Sequence, residues 1–139
     1  DEDLHALMSD EVVTPDDEHY KLLSSMFHSE TGESPQARLT LSAGGTEHMA
    51  ESSGSGPVDA TFKAIESVAA SGSQLLLYSV NAITTGTDAQ GEVTVRLARD
   101  GRIVNGQGAD TDIVVASAKA YINALNKLRS GSEKLNPQL

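Results

Sequence analysis

The chain has 139 residues, with twenty carboxylates against ten lysines and arginines and no cysteine. This length suits one ordinary domain with a hydrophobic core, while the acidic balance argues against nucleic acid or an anionic membrane surface as a partner. The lack of cysteine excludes a disulfide framework and a thiolate zinc site. No apolar run approaches the roughly 20 residues that span a bilayer, and the acidic start does not resemble a signal peptide, so we expect a cytoplasmic protein.

The first half of the chain predicts a short helix, three strands and a second helix. Leu4, Leu7 and Met8 have helical spacing, which favours a short amphipathic helix over 3–10. Because the chain begins without Met, we interpret this helix as the end of an upstream element in a larger protein. Pro57 suits the first position of the second helix. The predicted strands cover residues 18–30, 37–41 and 46–53, and the second helix ends near 71–72.

The second half predicts three more strands and a long helix. A strongly apolar strand and a strand with clean alternation flank a glycine-containing turn, and Asp100-Gly101 is a hairpin signal. The last strand is expected to run into a glycine turn at 106–109, after which Asp110 or Thr111 caps the helix. In chain order these elements are a strand over 74–84, a turn over 86–91, strands over 92–98 and 102–105, a helix to 128, and a flexible tail over 130–139.

The pattern of three strands and one helix therefore occurs twice. Gly54 and Gly56 recur 52 positions later as Gly106 and Gly108, which supports an internal repeat. We predict an α+β fold of two pseudo-repeated βββα units, with antiparallel sheets each covered by a helix. Units of this kind often complete their burial against a second copy, so we expect them to pair into a two-fold dimer.

Each predicted junction between a strand and a helix carries a paired glycine turn, GSGPVDA at 54–60 and GQGADTD at 106–112. Glycine allows close backbone approach, and a helix start offers unpaired N–H groups and a positive dipole end, which together suit a carboxylate. The alternative is that these glycines only form turns and pack helices onto sheets. A dinucleotide site is not indicated, because the third glycine is missing and the strands are predicted to be antiparallel.

The residue pattern indicates neither a metal site nor a catalytic site. No G-x-S-x-G elbow is present, and Ser55 has no evident His and Asp partners. A small enzyme would need an activated nucleophile or a metal constellation that the sequence does not offer. Four histidines lack the spacing of metal ligands, namely His5, His19, His28 and His48.

With these residues laid out, the chain resembles the C-terminal regulatory domain of the 2-isopropylmalate synthase family. The matching motifs are GSGPVDATFKAI at 54–65, NAITTGTDAQGEVTV at 81–95 and GRIVNGQGADTDIVVASAKAYINALNKL at 101–128. The resemblance implies that residues 1–17 are the end of a linker subdomain with its connector. It further implies that residues 18–129 are the effector-binding regulatory domain.

The resemblance also implies a function. In this family the domain forms a homodimer and binds L-leucine at the dimer interface. Binding inhibits the condensation of acetyl-CoA with 2-oxoisovalerate by a TIM-barrel domain, which is feedback control of leucine biosynthesis. The barrel, its catalytic acids and its divalent metal are absent from this chain, so we expect no cofactor and no catalytic residue here. The expected partners are L-leucine, a second copy and the parent's own barrel.

The family's effector site can be carried onto this sequence residue by residue. The first glycine turn and helix start would supply backbone groups, the apolar strand would line the side-chain pocket, and the second glycine turn would supply the other side. Gly56→Asp is therefore expected to abolish effector binding by filling a close-approach turn. The implied residues are Ser55, Gly56, Pro57, Val58, Asp59 and Ala60, then Leu75, Tyr78, Asn81 and Ala82, then Gly108, Ala109 and Asp110.

Two other functions stay open at this point. The related citramalate synthases use the same regulatory fold to sense isoleucine, and a one-methyl shift in a hydrophobic pocket is worth only about 1 to 3 kcal/mol. The match of the quoted motifs favours leucine. Alternatively, the domain is a dimerisation module without effector binding, and its glycines are purely structural.

Overall fold

The computed structural model of the chain describes residues 8–9, 18–85 and 88–135. In these residues, no helix is both long and apolar enough to cross a membrane. The described residues form seven strands and two helices, in the order β1 (Met8–Ser9), β2 (Tyr20–His28), β3 (Gln36–Ala43), β4 (Thr46–Ser53), α1 (Pro57–Ala69), β5 (Gln74–Thr85), β6 (Asp88–Arg99), β7 (Arg102–Asp110) and α2 (Ile113–Leu135).

The predicted α+β fold with two βββα units is confirmed. Strands β2, β3 and β4 form one antiparallel sheet, and β5, β6 and β7 form a second. Helix α1 packs on β3 and β4, while α2 packs on β6 and β7 and also contacts α1 and β2. Strand β1 extends the second sheet by pairing in parallel with β7. Both helices therefore lie against sheets and against each other, which creates one shared core.

The two units are related by a shift of 56 positions rather than the predicted 52. The hairpin pairs Ala43 with Thr46 in the first sheet and Arg99 with Arg102 in the second, and 43 to 99 is 56 positions. The helix starts at 57 and 113 have the same shift. Gly106 therefore corresponds to Ala50 and not to Gly54, so the repeat is real but its sequence register was wrong.

The first strand of each unit contains a β-bulge at the same place. The register shifts between Leu22 and Ser24 in β2 and between Leu75 and Leu77 in β5. A bulge inserts one extra residue and so reverses the alternation of side chains beyond it. As a result Leu75 and Tyr78, three positions apart, lie on the same face of the sheet, the face covered by helices.

The predicted glycine turn at 106–109 is wrong, because β7 continues to Asp110. Gly106 and Gly108 are strand residues on which helix α2 lies. A Cβ atom at Gly106 would collide with the backbone of Ala120 and Ala124, and one at Gly108 would lie 2.6 Å from the amide nitrogen of Ala120. Both glycines are needed for this close approach between helix and strand.

The start and end of α2 also differ from the prediction. The helix begins at Ile113 and is capped by Asp112, whose Oδ1 accepts a hydrogen bond from the amide of Val114 at 2.8 Å. The predicted caps, Asp110 and Thr111, precede it because β7 is longer than expected. The helix continues to Leu135, so the first residues of the predicted flexible tail are helical, and residues 136–139 lie outside the described part of the chain.

Two further predictions are corrected. Met8 and Ser9 form a strand opposite Ile103 and Val104, whereas helical spacing predicted a helix there, and the rest of that predicted helix lies outside the described residues. The turn expected over 86–91 is shorter, since β6 begins at Asp88 and residues 86–87 are not described. Ladder pairing to both neighbouring strands overrides the turn preference of Gly91.

Candidate functional site

A groove runs between helix α1 and strand β5, which belong to different βββα units. It contains a cavity of about 230 Å³. Two of the predicted effector residues, Asp59 and Leu75, line this cavity from opposite sides, and Tyr121 of α2 forms part of it. Sequence reasoning missed the other lining residues. The lining consists of Asp59, Phe62, Lys63, Glu66, Ser73, Leu75 and Tyr121.

The start of α1 leaves backbone donors unused. Gly56 is the N-cap residue in extended conformation and makes no side-chain cap, and Pro57 has no amide hydrogen. The amides of Val58 and Asp59 therefore have no partner within the described part of the chain. Helix α2 differs here, since Asp112 caps it. Of the two helix starts, only that of α1 lacks a side-chain cap.

The tight glycine of this turn is Gly54 rather than Gly56. A Cβ at Gly54 would lie 2.6 Å from the amide nitrogen of Ala60, whereas a Cβ at Gly56 would meet nothing within 4 Å. The expectation that Gly56→Asp fills a close-approach turn of this chain is therefore wrong. The sequence could not distinguish the two glycines, because both stand in the same G-S-G turn.

The carboxylate of Asp59 lies at the open end of the groove. It accepts hydrogen bonds from the amide of Ser55 at 3.0 Å and from its hydroxyl at 3.4 Å, and it pairs with Lys63 at 3.1 Å. The backbone hydrogen bond from Ser55, followed by the interaction with Lys63, lowers the pKa of Asp59. The groove entrance therefore carries an ionised carboxylate and an ammonium group within one helical turn.

Deeper in the groove, Glu66 accepts three hydrogen bonds. The donors are the Tyr121 hydroxyl at 2.8 Å and the amide and hydroxyl of Ser71 at 3.1 and 2.5 Å. Burial, reinforced by the neighbouring Glu66 carboxylate, raises the pKa of Tyr121 above its usual value. This network joins the end of α1 to α2 and places a second carboxylate beside the cavity.

Aromatic rings form the apolar part of the site. Phe62 stacks on Tyr121 with ring centroids 4.5 Å apart and meets the edge of Tyr78 at 5.9 Å. The Tyr78 hydroxyl lies 2.7 Å from Oγ of Ser117, and Ser117 in turn donates to the carbonyl of Ile113. These contacts fix the rings from both helices, so the apolar wall is preformed.

The predicted residues of β5 do not all face the groove. Leu75, Tyr78 and Ala82 pair with residues of β6 on the helix-covered face. Asn81 pairs with Glu92 and, because side chains alternate along a strand, lies on the opposite face. The structure thus brings Leu75 to the cavity beside Asp59 and Tyr78 against Phe62, while Ala82 lies farther along the same face and Asn81 lies on the opposite face.

The predicted β7 residues form a separate region. Asp110 lies in one row with Gly91 and Ala82 across three strands, roughly 10 Å from Ala82. The Asp110 carboxylate accepts a hydrogen bond from the amide of Asp112 and pairs with Lys119 at 3.1 Å. The hydrogen bond from Asp112 contributes most to lowering the pKa of Asp110. Gly108, Ala109 and Asp110 are not among the residues that line the α1–β5 cavity.

The pseudo-symmetry also creates an equivalent groove between α2 and β2. It holds a cavity of about 340 Å³ lined by residues that include Lys119, Asn123 and Asn126. The Asn126 side chain bonds to both the amide and the carbonyl of Tyr20, at 2.9 and 3.0 Å. Here the strand is fastened to the helix, in contrast to the α1–β5 groove.

One group of possible metal ligands escaped the sequence argument, which considered histidine spacing alone. His28, Glu30 and Glu33 bring ligand atoms within 4.8 Å of one another at the β2–β3 connection. All three side chains are exposed, and exposed acidic groups often cluster in this way without binding an ion. We assign them no metal role.

Comparison with known proteins places these features in a family. A family model described as the LeuA allosteric (dimerisation) domain matches residues 1–129, so it includes the segment predicted to be a linker. The chain is 75% identical to the 2-isopropylmalate synthase of Aromatoleum aromaticum over 139 residues. It is 69% identical to that of Dechloromonas aromatica over 138 residues and 68% identical to that of Thiobacillus denitrificans over 139 residues. The match covers 99 to 100% of this chain but 27% of the length of each of these relatives. The chain belongs to the LeuA allosteric (dimerisation) domain family.

Proposed function

We propose that this chain is the leucine-sensing regulatory domain of a 2-isopropylmalate synthase. L-Leucine binds in the α1–β5 groove of a homodimer, and binding inhibits the condensation of acetyl-CoA with 2-oxoisovalerate in the parent's catalytic barrel. The chain itself contributes no catalytic group and no cofactor, and the parent acts in the cytoplasm. The observation that carries this proposal is the cavity that joins a helix start with free amides to an apolar wall.

The chemistry of the groove matches a zwitterion with an apolar side chain. The amides of Val58 and Asp59 and the ammonium of Lys63 suit the ligand's carboxylate. Asp59 and Glu66 supply acceptors for its ammonium group. A cavity of about 230 Å³ lies below the range of about 300 to 1,000 Å³ for drug-sized ligands, which is consistent with a single amino acid.

The hydrophobic wall suits a branched aliphatic side chain. Phe62, Leu75 and Tyr121 border the cavity, and Phe62 is held in place by its ring contacts. The named relatives are 2-isopropylmalate synthases, which favours leucine over isoleucine as the effector. Gly108, Ala109 and Asp110 belong to the same site in our proposal, and a second copy is then required to bring them to the groove.

Isothermal titration of the chain with L-leucine tests this proposal, with L-isoleucine and L-valine as competitors. We expect saturable binding that prefers leucine. Tyr78→Ala should weaken binding about tenfold, equivalent to about 1.4 kcal/mol, because it removes a ring next to Phe62. Asn81→Ala is the matched control, since its side chain lies on the other face of the same strand and should leave affinity unchanged.

The other functions predict different titrations. Preference for isoleucine would assign the chain to the citramalate branch of the family. A folded dimer that binds none of the three amino acids would be a dimerisation module. Equal losses from Tyr78→Ala and Asn81→Ala would contradict the groove as the binding site.

A further inference from the structure

The α2–β2 groove holds a larger cavity than the α1–β5 groove. Its volume of about 340 Å³ lies inside the range of about 300 to 1,000 Å³ for small-molecule sites. The two hydrogen bonds between the Asn126 side chain and the backbone of Tyr20 hold the strand beside the helix. The fold itself therefore sets the width of this cavity, and no lining residue is shared with the α1–β5 cavity.

The charged groups of the two cavities differ in sign. Lys21 and Lys119 line the α2–β2 cavity together with one carboxylate, that of Glu18. The α1–β5 cavity has two carboxylates and one ammonium group. The α2–β2 cavity is thus lined by an excess of positive charge in a chain whose formal net charge is -10. Such a local excess attracts an anionic ligand.

Hydrogen-bond donors remain available around this cavity. The Lys119 ammonium has three N–H groups and bonds to Asp110 at 3.1 Å and to a backbone carbonyl at 3.4 Å, which leaves one. Lys21 is exposed, and its ammonium makes no hydrogen bond or ion pair within the described part of the chain. Asn123 accepts a bond from the amide of Gln107 through Oδ1, so its NH2 group can donate to a ligand.

The internal repeat indicates which ligand group this cavity does not serve. Lys119 lies 56 positions after Lys63, so both grooves have a lysine in the same place. Ile122 stands where the α1–β5 groove has Glu66, so the carboxylate that could accept from a ligand's ammonium is replaced by an apolar side chain. Ile122 and Leu22 give the cavity an apolar part. The groove therefore suits a carboxylate with an apolar tail better than it suits an amino acid.

We propose that the α2–β2 groove is a second ligand site, which takes a small monocarboxylate with an apolar tail and a carbonyl or hydroxyl oxygen but no ammonium group. Its carboxylate binds the ammonium groups of Lys21 and Lys119 through charge-assisted hydrogen bonds. The NH2 group of Asn123 donates to the carbonyl or hydroxyl oxygen, and the tail packs on Leu22 and Ile122. This site is separate from the effector groove of the proposed function.

Isothermal titration with 4-methyl-2-oxopentanoate tests the site. This probe has the carbon skeleton of leucine with a carbonyl in place of the ammonium group, so the two ligands differ only in the group that distinguishes the grooves. The titration is carried out with and without saturating L-leucine. We expect saturable binding of the oxo acid that leucine does not displace.

Lysine variants locate the binding. Lys21→Met and Lys119→Met should each weaken binding of the oxo acid about tenfold, because each removes a hydrogen bond between charged groups. Lys63→Met is the matched control, since it removes the equivalent lysine of the α1–β5 groove and should leave the affinity for the oxo acid unchanged. All three lysines are exposed, so the variants should fold, which circular dichroism checks.

Glu18→Gln distinguishes an anion from a zwitterion in the same cavity. The variant removes a carboxylate from the lining, so it should strengthen binding of the oxo acid about twofold. A ligand whose ammonium group bonds to Glu18 would instead bind more weakly to this variant. Weaker binding of the oxo acid would therefore contradict the proposed charge preference.

Three other results would overturn the proposal: no saturable binding of the oxo acid at millimolar concentrations, displacement of the oxo acid by leucine, or an affinity that neither Lys21→Met nor Lys119→Met lowers more than Lys63→Met does. The two ligands also separate this site from the proposed function. A chain that binds the oxo acid but not leucine would contradict only the effector assignment, and a chain that binds leucine but not the oxo acid would contradict only the second site.

Discussion

The two βββα units share a strand register and a bulge, yet they close their grooves differently. In the α2–β2 groove, Asn126 fastens the strand to the helix through both backbone groups of Tyr20. The equivalent position, 56 residues earlier, is Ala70, the C-cap of α1, whose methyl side chain cannot form a hydrogen bond to β5. The α1–β5 groove is therefore open. Each groove lies between a helix of one unit and a strand of the other: the α2–β2 groove ties the two units together, and the α1–β5 groove leaves polar and apolar groups available to a ligand.

The helix starts differ in the same direction. Asp112 caps α2 with its own carboxylate, whereas α1 starts from Gly56 without a side-chain cap. A carboxylate is the group that a helix N-terminus favours, whether it belongs to the chain or to a ligand. The open groove thus lies at the helix start that has no side-chain cap.

The largest expected effect concerns the glycines beneath α2. Gly106→Ala should lower the free energy of unfolding by about 3 kcal/mol, because its Cβ would collide with the backbone of Ala120 and Ala124. The first unit tolerates Ala50 at the equivalent position. Urea denaturation measures the loss, with Gly56→Ala as the control, expected to cost less than about 1 kcal/mol. Equal losses of unfolding free energy in the two variants would contradict the special need for glycine at position 106.

The next largest effect is expected from the hydrogen bonds between β2 and α2. Asn126→Ala removes two hydrogen bonds to Tyr20 and should cost about 2 kcal/mol. Asn123→Ala, one turn earlier on the same helix, removes a single exposed bond to Gln107 and should cost less than about 1 kcal/mol. Denaturation of both variants ranks them. If Asn126→Ala were neutral, the α2–β2 groove would be no more fastened than the α1–β5 groove.

A smaller effect is expected from the network beside the open groove. Tyr121→Phe removes the hydroxyl that donates to Glu66 and should cost about 1 to 2 kcal/mol near neutral pH. Folding raises the pKa of Tyr121, so its contribution is complete below the unfolded value of about 10 and is lost as pH rises above it. The stability difference between parent and variant should therefore shrink in alkali. A difference independent of pH would contradict the role given to this hydroxyl.

The smallest effect concerns Asp59 at the groove entrance. Its pKa is lowered in the folded chain, chiefly by the backbone amide of Ser55, so it stabilises the fold above its unfolded value of 3.8 and loses that contribution on acidification. Acidification from about pH 5 to pH 2 should therefore destabilise Asp59→Asn less than it destabilises the parent. Unfolding curves at both pH values measure this. Identical acid dependence would mean that Ser55 does not hold the carboxylate.

The elements were predictable because their signals are local. Alternation identified the strands, and Pro57 marked the start of α1, which the structure confirms. Gly106 and Gly108 were mistaken for a turn because glycine has the same local preference in a turn and beneath a crossing helix. Only the tertiary approach of α2 distinguishes the two roles.

The groove was predictable only in part. The start of α1 and the apolar strand came from motifs that the sequence displays directly. The bulge that brings Leu75 and Tyr78 to one face has no characteristic residue, so this shared face could not be foreseen, whereas plain alternation already places Asn81 opposite Tyr78 and Ala82. Glu66 and Tyr121 are 55 positions apart, and no short-range pattern connects them.

The matching bulges and registers of the two sheets are the pattern that duplication of one ancestral gene segment leaves behind. Two segments that arose separately would have no reason to insert an extra residue at the same rung of the same strand. After such a duplication, selection can act on each copy separately. Substitutions can accumulate around α1 and β5 while Asn126 and the glycines beneath α2 keep the chain folded, which leaves the α1–β5 groove free to change without loss of the scaffold.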